Sequence, residues 1–426
     1  MRWMVVALWP GVVMAQDLAL PVFPEHDPAK VSLGQLLFYD PILSGNRNIA
    51  CATCHHPKMG TADAVSLSLG EGAVGLGRNR HVAGPDNVPE QRIPRNAPAL
   101  FNLGATEYSV MFHDGRLEID PSQPGGMRNP LGVALPEGLD SILAAQSMFP
   151  VLSADEMAGH YSENEVAEAV RLGQSFEAWD RIAARVAAEP GYRPLFDGIY
   201  GEGSEIRYVE IANALGAFMD VEWRAVNSPF DRYLIEGTPL TAQAELGRAL
   251  FYGQAQCATC HSGWFQTDHS FHAIALPQVG PGKAARFENH ARDEGRMRVT
   301  GQAEDAYAFR TPSLRNVTLT APYGHDGAYA ELSDMVRHHL DPVPSLMGYQ
   351  GDKAVFLKLD GADDWKAQGD LAELTKIAAA SDLEPVVLND GDIAAILAFL
   401  KSLEDLDWQN RMGVPESVPS GLPVDR

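Results

Sequence analysis

The sequence predicts a mainly α-helical protein built from two related domains. Three observations predict it: apolar residues recur at helical spacing, one cysteine–histidine pentapeptide occurs twice, and the blocks around it repeat in the same order. Helical spacing is clearest over residues 163–189, 206–223 and 393–403, the last preceded by Asn389-Asp390, a capping pair. Ahead of the pentapeptides, Leu33-Gly34-Gln35-Leu36-Leu37-Phe38-Tyr39 and Leu246-Gly247-Arg248-Ala249-Leu250-Phe251-Tyr252 each read as a short amphipathic helix. Downstream, Pro98-Ala99-Leu100-Phe101-Asn102 answers Pro312-Ser313-Leu314-Arg315-Asn316, and His113-Asp114-Gly115 answers His325-Asp326-Gly327. Matching blocks in one order indicate an internal duplication. Residues 70–98 and 277–282, rich in glycine and proline, read as long loops. Pro229, Gly237 and Pro239 break the helical pattern over 227–239, which predicts a hinge there. The expected division is 1–15 as a signal peptide, 16–232 and 233–410 as the two domains, and 411–426 as an extended tail.

The repeated pentapeptide is Cys-Ala-Thr-Cys-His, at Cys51–His55 and Cys257–His261, and it uses all four cysteines of the chain. A lone Cys-x-x-Cys is compatible with zinc or with a redox dithiol. Here histidine follows at once both times, and no further cysteine is available to complete a four-cysteine zinc site. In Cys-x-x-Cys-His the thiols form thioethers to haem vinyl groups and the histidine binds the iron axially. Two covalently bound c-type haems are therefore expected, with Cys51, Cys54 and His55 holding the first and Cys257, Cys260 and His261 the second. The duplication also bears on the remaining axial positions. Tyr307 stands five residues before Pro312, whereas Ile93, which cannot bind iron, stands five before Pro98. One six-coordinate and one open haem is the expectation, with Tyr307 as the second ligand of the second iron. Adjacent His338 and His339 face different ways on a predicted helix and do not form a metal pair.

Composition narrows the setting. The chain of 426 residues is long enough for two domains with real cores, and its net charge of −23 argues against nucleic acid and anionic membranes. Met1-Arg2, an apolar run to Val13 and Met14-Ala15 read as a short secretory signal, so a periplasmic protein is expected. No stretch reaches the roughly 20 apolar residues of a membrane span.

These motifs resemble those of the bacterial di-haem cytochrome c peroxidase and MauG superfamily, from about Leu33 to Leu403. The carriers are both Cys-x-x-Cys-His motifs, Arg95-Asn96-Ala97-Pro98, Phe112-His113-Asp114-Gly115-Arg116, Phe309-Arg310-Thr311-Pro312-Ser313-Leu314-Arg315-Asn316, and Ala321-Pro322-Tyr323-Gly324-His325-Asp326-Gly327. The resemblance implies two mainly α cytochrome c-like domains with a calcium ion near their interface, Asn96 being the side-chain ligand. It implies that Tyr307 occupies the position of a methionine in the peroxidases and of the tyrosine ligand in MauG. The distal histidine of the peroxidases, sixteen residues after the first haem histidine, is replaced by Glu71, read as a solvated loop carboxylate. His113 stands where the family has an inter-haem tryptophan, which puts electron relay through it in doubt. After Asn129-Pro130 the family's catalytic acid is missing. Glu156, beyond an apparent insertion over 132–154, is the acid–base candidate, and Gln123 matches a pocket glutamine. The implied activity is reaction with hydrogen peroxide followed by oxidation of a partner protein, as in MauG. The alternatives are peroxide reduction with electrons from a small cytochrome c or copper protein, and plain electron transfer.

Overall fold

Two helix pairs carry the fold, and each uses a glycine to bring its helices into backbone contact. The structure is a computed structural model that describes residues 19–85, 87–283, 288–411 and 413–426. The expected signal peptide lies outside the described residues. In chain order the helices are α1 (Pro28–Tyr39), α2 (Cys51–Cys54), α3 (Ile142–Gln146), α4 (Glu165–Arg171), α5 (Ser175–Ala188), α6 (Arg193–Tyr200), α7 (Tyr208–Glu222), α8 (Pro229–Glu236), α9 (Ala242–Phe251), α10 (Met297–Thr300), α11 (Leu332–Leu340), α12 (Pro342–Met347), α13 (Leu371–Ala379) and α14 (Asp390–Lys401). The strands are short: β1 (Ala73–Val74) pairs with β2 (His81–Val82), β3 (Val110–Met111), β4 (Leu117–Ile119) and β5 (Met127–Arg128) form an antiparallel hairpin sheet, and β6 (Phe271–His272) pairs with β7 (Phe309–Arg310).

Helix α1 packs on α7, and α9 packs on α14. A Cβ on Gly34 of α1 would run into the Ala214 carbonyl of α7, and one on Gly247 of α9 into the Ala395 carbonyl of α14. The Leu-Gly pair that precedes each pentapeptide thus serves close helix–helix approach. Around the first pair, Leu37, Phe38, Ile211, Leu215 and Phe218 belong to one large apolar cluster that also takes in Trp179 and Tyr192. Around the second, Phe230, Phe251, Ile396, Phe399 and Leu403 form another.

Two elements differ from expectation. The helical run over 163–189 is split at Leu172–Gln174, where Gly173 takes φ +71° between α4 and α5. The expected break at 227–239 is instead the helix α8. Pro229 sits at its first position, where a missing N–H costs nothing, Ser228 caps it from Asp231 N, and Gly237 closes it at φ +70°. Prolines and glycine mark the ends of that helix rather than its absence. The final residues, 413–426, carry no helix and return to the first pentapeptide region. Ser420 Oγ donates to Asp40 Oδ1 at 2.7 Å, and Thr53 Oγ1, inside the first motif, donates to Asp425 Oδ2 at 2.7 Å.

Between the two pentapeptide regions lies a buried ionic joint. Arg95 bonds Asp114 and Asp293, each at 2.7 Å. Asn96 N donates to the His325 carbonyl at 2.8 Å, and Arg310 N to the His113 carbonyl at 2.8 Å. The two His-Asp-Gly blocks therefore both bond into this joint.

Candidate active site

Helix α2 begins the first site: Ala50 N donates to Thr53 Oγ1 at 3.0 Å, which winds the Cys-x-x-Cys turn. His55 Nδ1 lies 3.0 Å from the Thr61 carbonyl, and His261 Nδ1 lies 3.0 Å from the Gln266 carbonyl. A backbone carbonyl can only accept, so Nδ1 carries the proton in both and Nε2 keeps its lone pair for a metal. Burial lowers the pKa of His55, and burial together with His339 lowers that of His261 to about 4, so both rings are neutral. None of the four cysteines is paired in a disulfide. Arg310 is enclosed, with the Phe112 and Thr311 carbonyls as its bonded partners, and burial pulls its pKa down. Two thiol pairs, two neutral imidazoles with Nε2 available, and an enclosed guanidinium that has no carboxylate partner among the described residues fit two c-type haems and an acidic haem edge.

Glu156 lies on a single π turn, Ala154–Ala158, capped by Ser153, whose Oγ accepts from Glu156 N at 3.3 Å. Such turns recur at functional sites because they turn one side chain out of helical register. The Glu156 carboxyl acts electrostatically on Cys54 and faces Lys283 and Arg116. Burial raises its pKa above the usual carboxylate range, and the two cations only partly offset this. Arg116 is itself fixed by Asp114 at 3.0 Å and by the face of Phe112, 3.5 Å from the ring centre. Lys283 carries no signal in spacing, and Arg116, although part of a recognised block, is brought to Glu156 only by the fold.

Glu71 is not solvated: it is 1% exposed, which corrects the sequence expectation. Its Oε1 accepts from Asn48 at 2.7 Å, Asn87 at 2.8 Å, Asn46 at 3.0 Å and Gly72 N at 3.1 Å. Its backbone N–H donates to the Asp155 carbonyl at 2.9 Å, next to Glu156. Three asparagines from two other segments supply donors to Oε1 in place of water, while Oε2 is buried and among the described residues has no hydrogen-bond partner. The loop at the distal-histidine position is thereby tied to the first pentapeptide segment and to the turn that carries Glu156.

The remaining expected residues are spread out. His113 Nε2 lies 3.1 Å from the Asn96 carbonyl, and burial with Arg95 nearby pushes its pKa down to about 4. Gln123 heads the turn between β4 and β5 on the protein surface, and its side chain serves Asp120. The Asn96 amide nitrogen donates to the Val65 and Ser66 carbonyls at 2.9 and 3.2 Å. Tyr307 is buried at φ +60°, a conformation that costs a bulky residue energy. Its hydroxyl donates to Glu373 Oε1 on α13 at 2.7 Å, and burial raises its pKa. A residue given no weight by spacing, His339 of α11, faces His261 with ring centres 6.3 Å apart.

Two haem-attachment sites on a mainly helical frame, one with a buried acid beside it, define a di-haem c-type oxidoreductase. Residues 28–238 match the family model described as di-haem cytochrome c peroxidase. The chain is 31% identical over 317 residues to a methylamine utilization protein MauG of Methylorubrum extorquens, covering 74% of this chain and 69% of the relative. It is 30% identical over 331 residues to a cytochrome c551 peroxidase of Nitrosomonas europaea, covering 76% and 78%. Among solved structures, a MauG-like protein associated with microbial copper homeostasis superposes with a TM-score of 0.62 at 25% identity, covering 97% of this chain and 99% of that one. The diheme peroxidase BthA from Burkholderia thailandensis superposes at 0.61 and 21% identity, over 95% and 92%, which speaks to the fold alone. The chain belongs to the di-haem cytochrome c peroxidase family, and it is an oxidoreductase carrying two c-type haems.

Proposed function

We propose that the protein reacts with hydrogen peroxide at the first haem site in its fully oxidised state and passes the oxidising equivalents to an aromatic side chain of a partner protein. The observation that carries this is Glu156, a buried carboxyl on its π turn within electrostatic reach of Cys54. The haems, when bound, supply the iron that takes up the peroxide and stores its two oxidising equivalents. Cys51, Cys54 and His55 would hold the first; Cys257, Cys260 and His261 would hold the second. Glu156 would take a proton from one peroxide oxygen and return it to the other, so that the O–O bond breaks with water rather than hydroxide leaving. Lys283 and Arg116 partly offset the burial that favours its protonated form. Glu71, fixed by Asn46, Asn48 and Asn87, keeps the loop at the distal position from supplying a ligand, which leaves the first site open. His113, neutral and tied to Asn96, positions the joint between the sites rather than carrying a proton. Gln123 belongs to the pocket only if the β4–β5 turn closes toward Glu156.

The halves 16–232 and 233–410 are read as products of an internal duplication, supported by the matching use of Gly34 and Gly247. A calcium ion at Asn96 would require its amide to turn its oxygen toward the Val65 and Ser66 carbonyls, an oxygen set suited to that ion. Export to the periplasm, where c-type haem is attached, accords with the N-terminal sequence. Among the described residues no helix is long and apolar enough to cross a membrane.

A second reading, peroxide reduction with electrons from a small cytochrome c or copper protein, is favoured by the relatives named as peroxidases. One experiment separates the two. One equivalent of peroxide is added to the fully oxidised protein without reductant, and absorption and electron paramagnetic resonance are followed. Loss of both ferric signals within the mixing time supports the first reading; no change until the second haem is reduced supports the second.

A further inference from the structure

We propose that His339, rather than Tyr307, is the second axial ligand of the haem attached at Cys257 and Cys260, so that this haem is held between two imidazoles. Four observations lead there, and they rest on family membership rather than on any choice of substrate.

The first is distance. Two imidazoles bound through Nε2 to opposite sides of one metal, with metal–nitrogen bonds of about 2.0–2.1 Å, have ring centres about 6 Å apart. The rings of His261 and His339 are 6.3 Å apart, with their planes at 57°. The second is tautomer. His339 Nδ1 lies 2.9 Å from the Met335 carbonyl one turn back on α11, so Nδ1 carries the proton and Nε2 is left as a lone pair. His55 and His261 are fixed in the same way, each through Nδ1 to a backbone carbonyl. That arrangement is the usual support of a metal-bound histidine. Its neighbour His338 is used up: Nδ1 meets the Tyr329 hydroxyl at 3.1 Å and Nε2 the Ile274 carbonyl at 2.8 Å. The two side chains do point different ways, with rings at 88°, and this is what leaves His339 alone to face His261.

The third is packing. Met335 and Val336 of α11 pack against the same apolar cluster as Cys257, Ala258 and Leu314, so α11 and the second attachment site share one core. The fourth is that Tyr307 is committed elsewhere. Its hydroxyl is donated to Glu373, and its ring packs with Ala275, Leu346, Leu374 and Ile377, a cluster separate from the one around Cys257.

The test uses the ferric holoprotein and no peroxide, so failure of the peroxide reading cannot be mistaken for failure of this one. Near-infrared magnetic circular dichroism and electron paramagnetic resonance are recorded for the native protein, Tyr307→Phe and His339→Met. The native low-spin haem is expected to give the charge-transfer band of bis-imidazole ligation. Tyr307→Phe should leave that band and the low-spin signal in place, and His339→Met should shift the band to lower energy. An imidazole–phenolate signature in the native protein, lost in Tyr307→Phe, overturns the proposal. Because the native spectrum alone distinguishes the two ligand sets, the test stands even if a variant fails to take up haem.

Discussion

The two Cys-Ala-Thr-Cys-His regions begin alike and end differently. Each follows a helix whose glycine meets a partner helix, and each anchors its histidine through Nδ1 to a carbonyl a few residues on. What lies near each site then diverges. At the first site the chain runs through the β3–β4–β5 sheet and a π turn, and brings Glu156 within electrostatic reach of Cys54, Lys283 and Arg116. At the second it runs into α11 and presents His339. A duplicated attachment motif therefore sets where a haem sits, and the element opposite sets whether it meets substrate or is closed off. On this account the first site is built to react and the second to store.

The largest expected effect breaks the reactive side. Glu156→Gln removes the proton shuttle and should slow the reaction with peroxide by about 10²–10⁴-fold. The low-spin signal of the second haem should stay unchanged, as checked by stopped-flow absorption and paramagnetic resonance. If the rate holds, Glu156 is not the acid–base group. Acidity sharpens the same point. Only the ionised carboxylate can accept the proton, and burial raises its pKa. The peroxide rate should therefore fall as pH drops, with the midpoint above the ordinary glutamate range of about 4.3. A midpoint at or below that ordinary range would contradict the assignment.

Glu71→Gln tests what keeps the first site open. An amide there would set its own N–H donors or a weaker acceptor against three asparagine amides, leaving buried donors short of a partner at about 1–3 kcal/mol. Faster hydrogen exchange is expected over residues 68–72 and 153–159, with exchange in α9 and α14 unaffected. Exchange unchanged at both segments would mean the clamp is dispensable. The smallest contrast is between Gly34→Ala and Gly247→Ala. Each added methyl meets a carbonyl of the partner helix, so each should lower stability by about 1–3 kcal/mol through overpacking. A loss at one position only, measured by denaturant unfolding, would show that the two helix crossings are not equivalent.

Much of the frame was legible in the sequence because it rests on local signals. The haem motifs are contiguous, α1, α9 and α14 follow apolar periodicity, and the matching sequence blocks keep their order. Local signals also misled at α8, where Pro229 and Gly237 look like breakers until their places at its two ends are known. The site was less legible because its groups meet only in three dimensions. Glu71 reads as a loop carboxylate until Asn46, Asn48 and Asn87 close on it from two other segments. His339 carries no spacing relation to His261, since the pair is made only where α11 and the second attachment site pack into one core. Tyr307 illustrates the converse: register across a loop points to the iron, while Glu373, sixty-six residues on, takes its hydroxyl.

If the second ligand is imidazole, the storage role is retained. A thioether raises the reduction potential of a haem relative to a second imidazole, so two histidines favour the ferric and more oxidised states. The central claim is the inequality of the two sites, and the resting ferric protein tests it most directly. Its electron paramagnetic resonance spectrum, integrated against a standard, should contain one high-spin and one low-spin haem in equal amounts. Two low-spin haems would contradict the account, because the first site would then be closed and Glu156 would have no peroxide to act on.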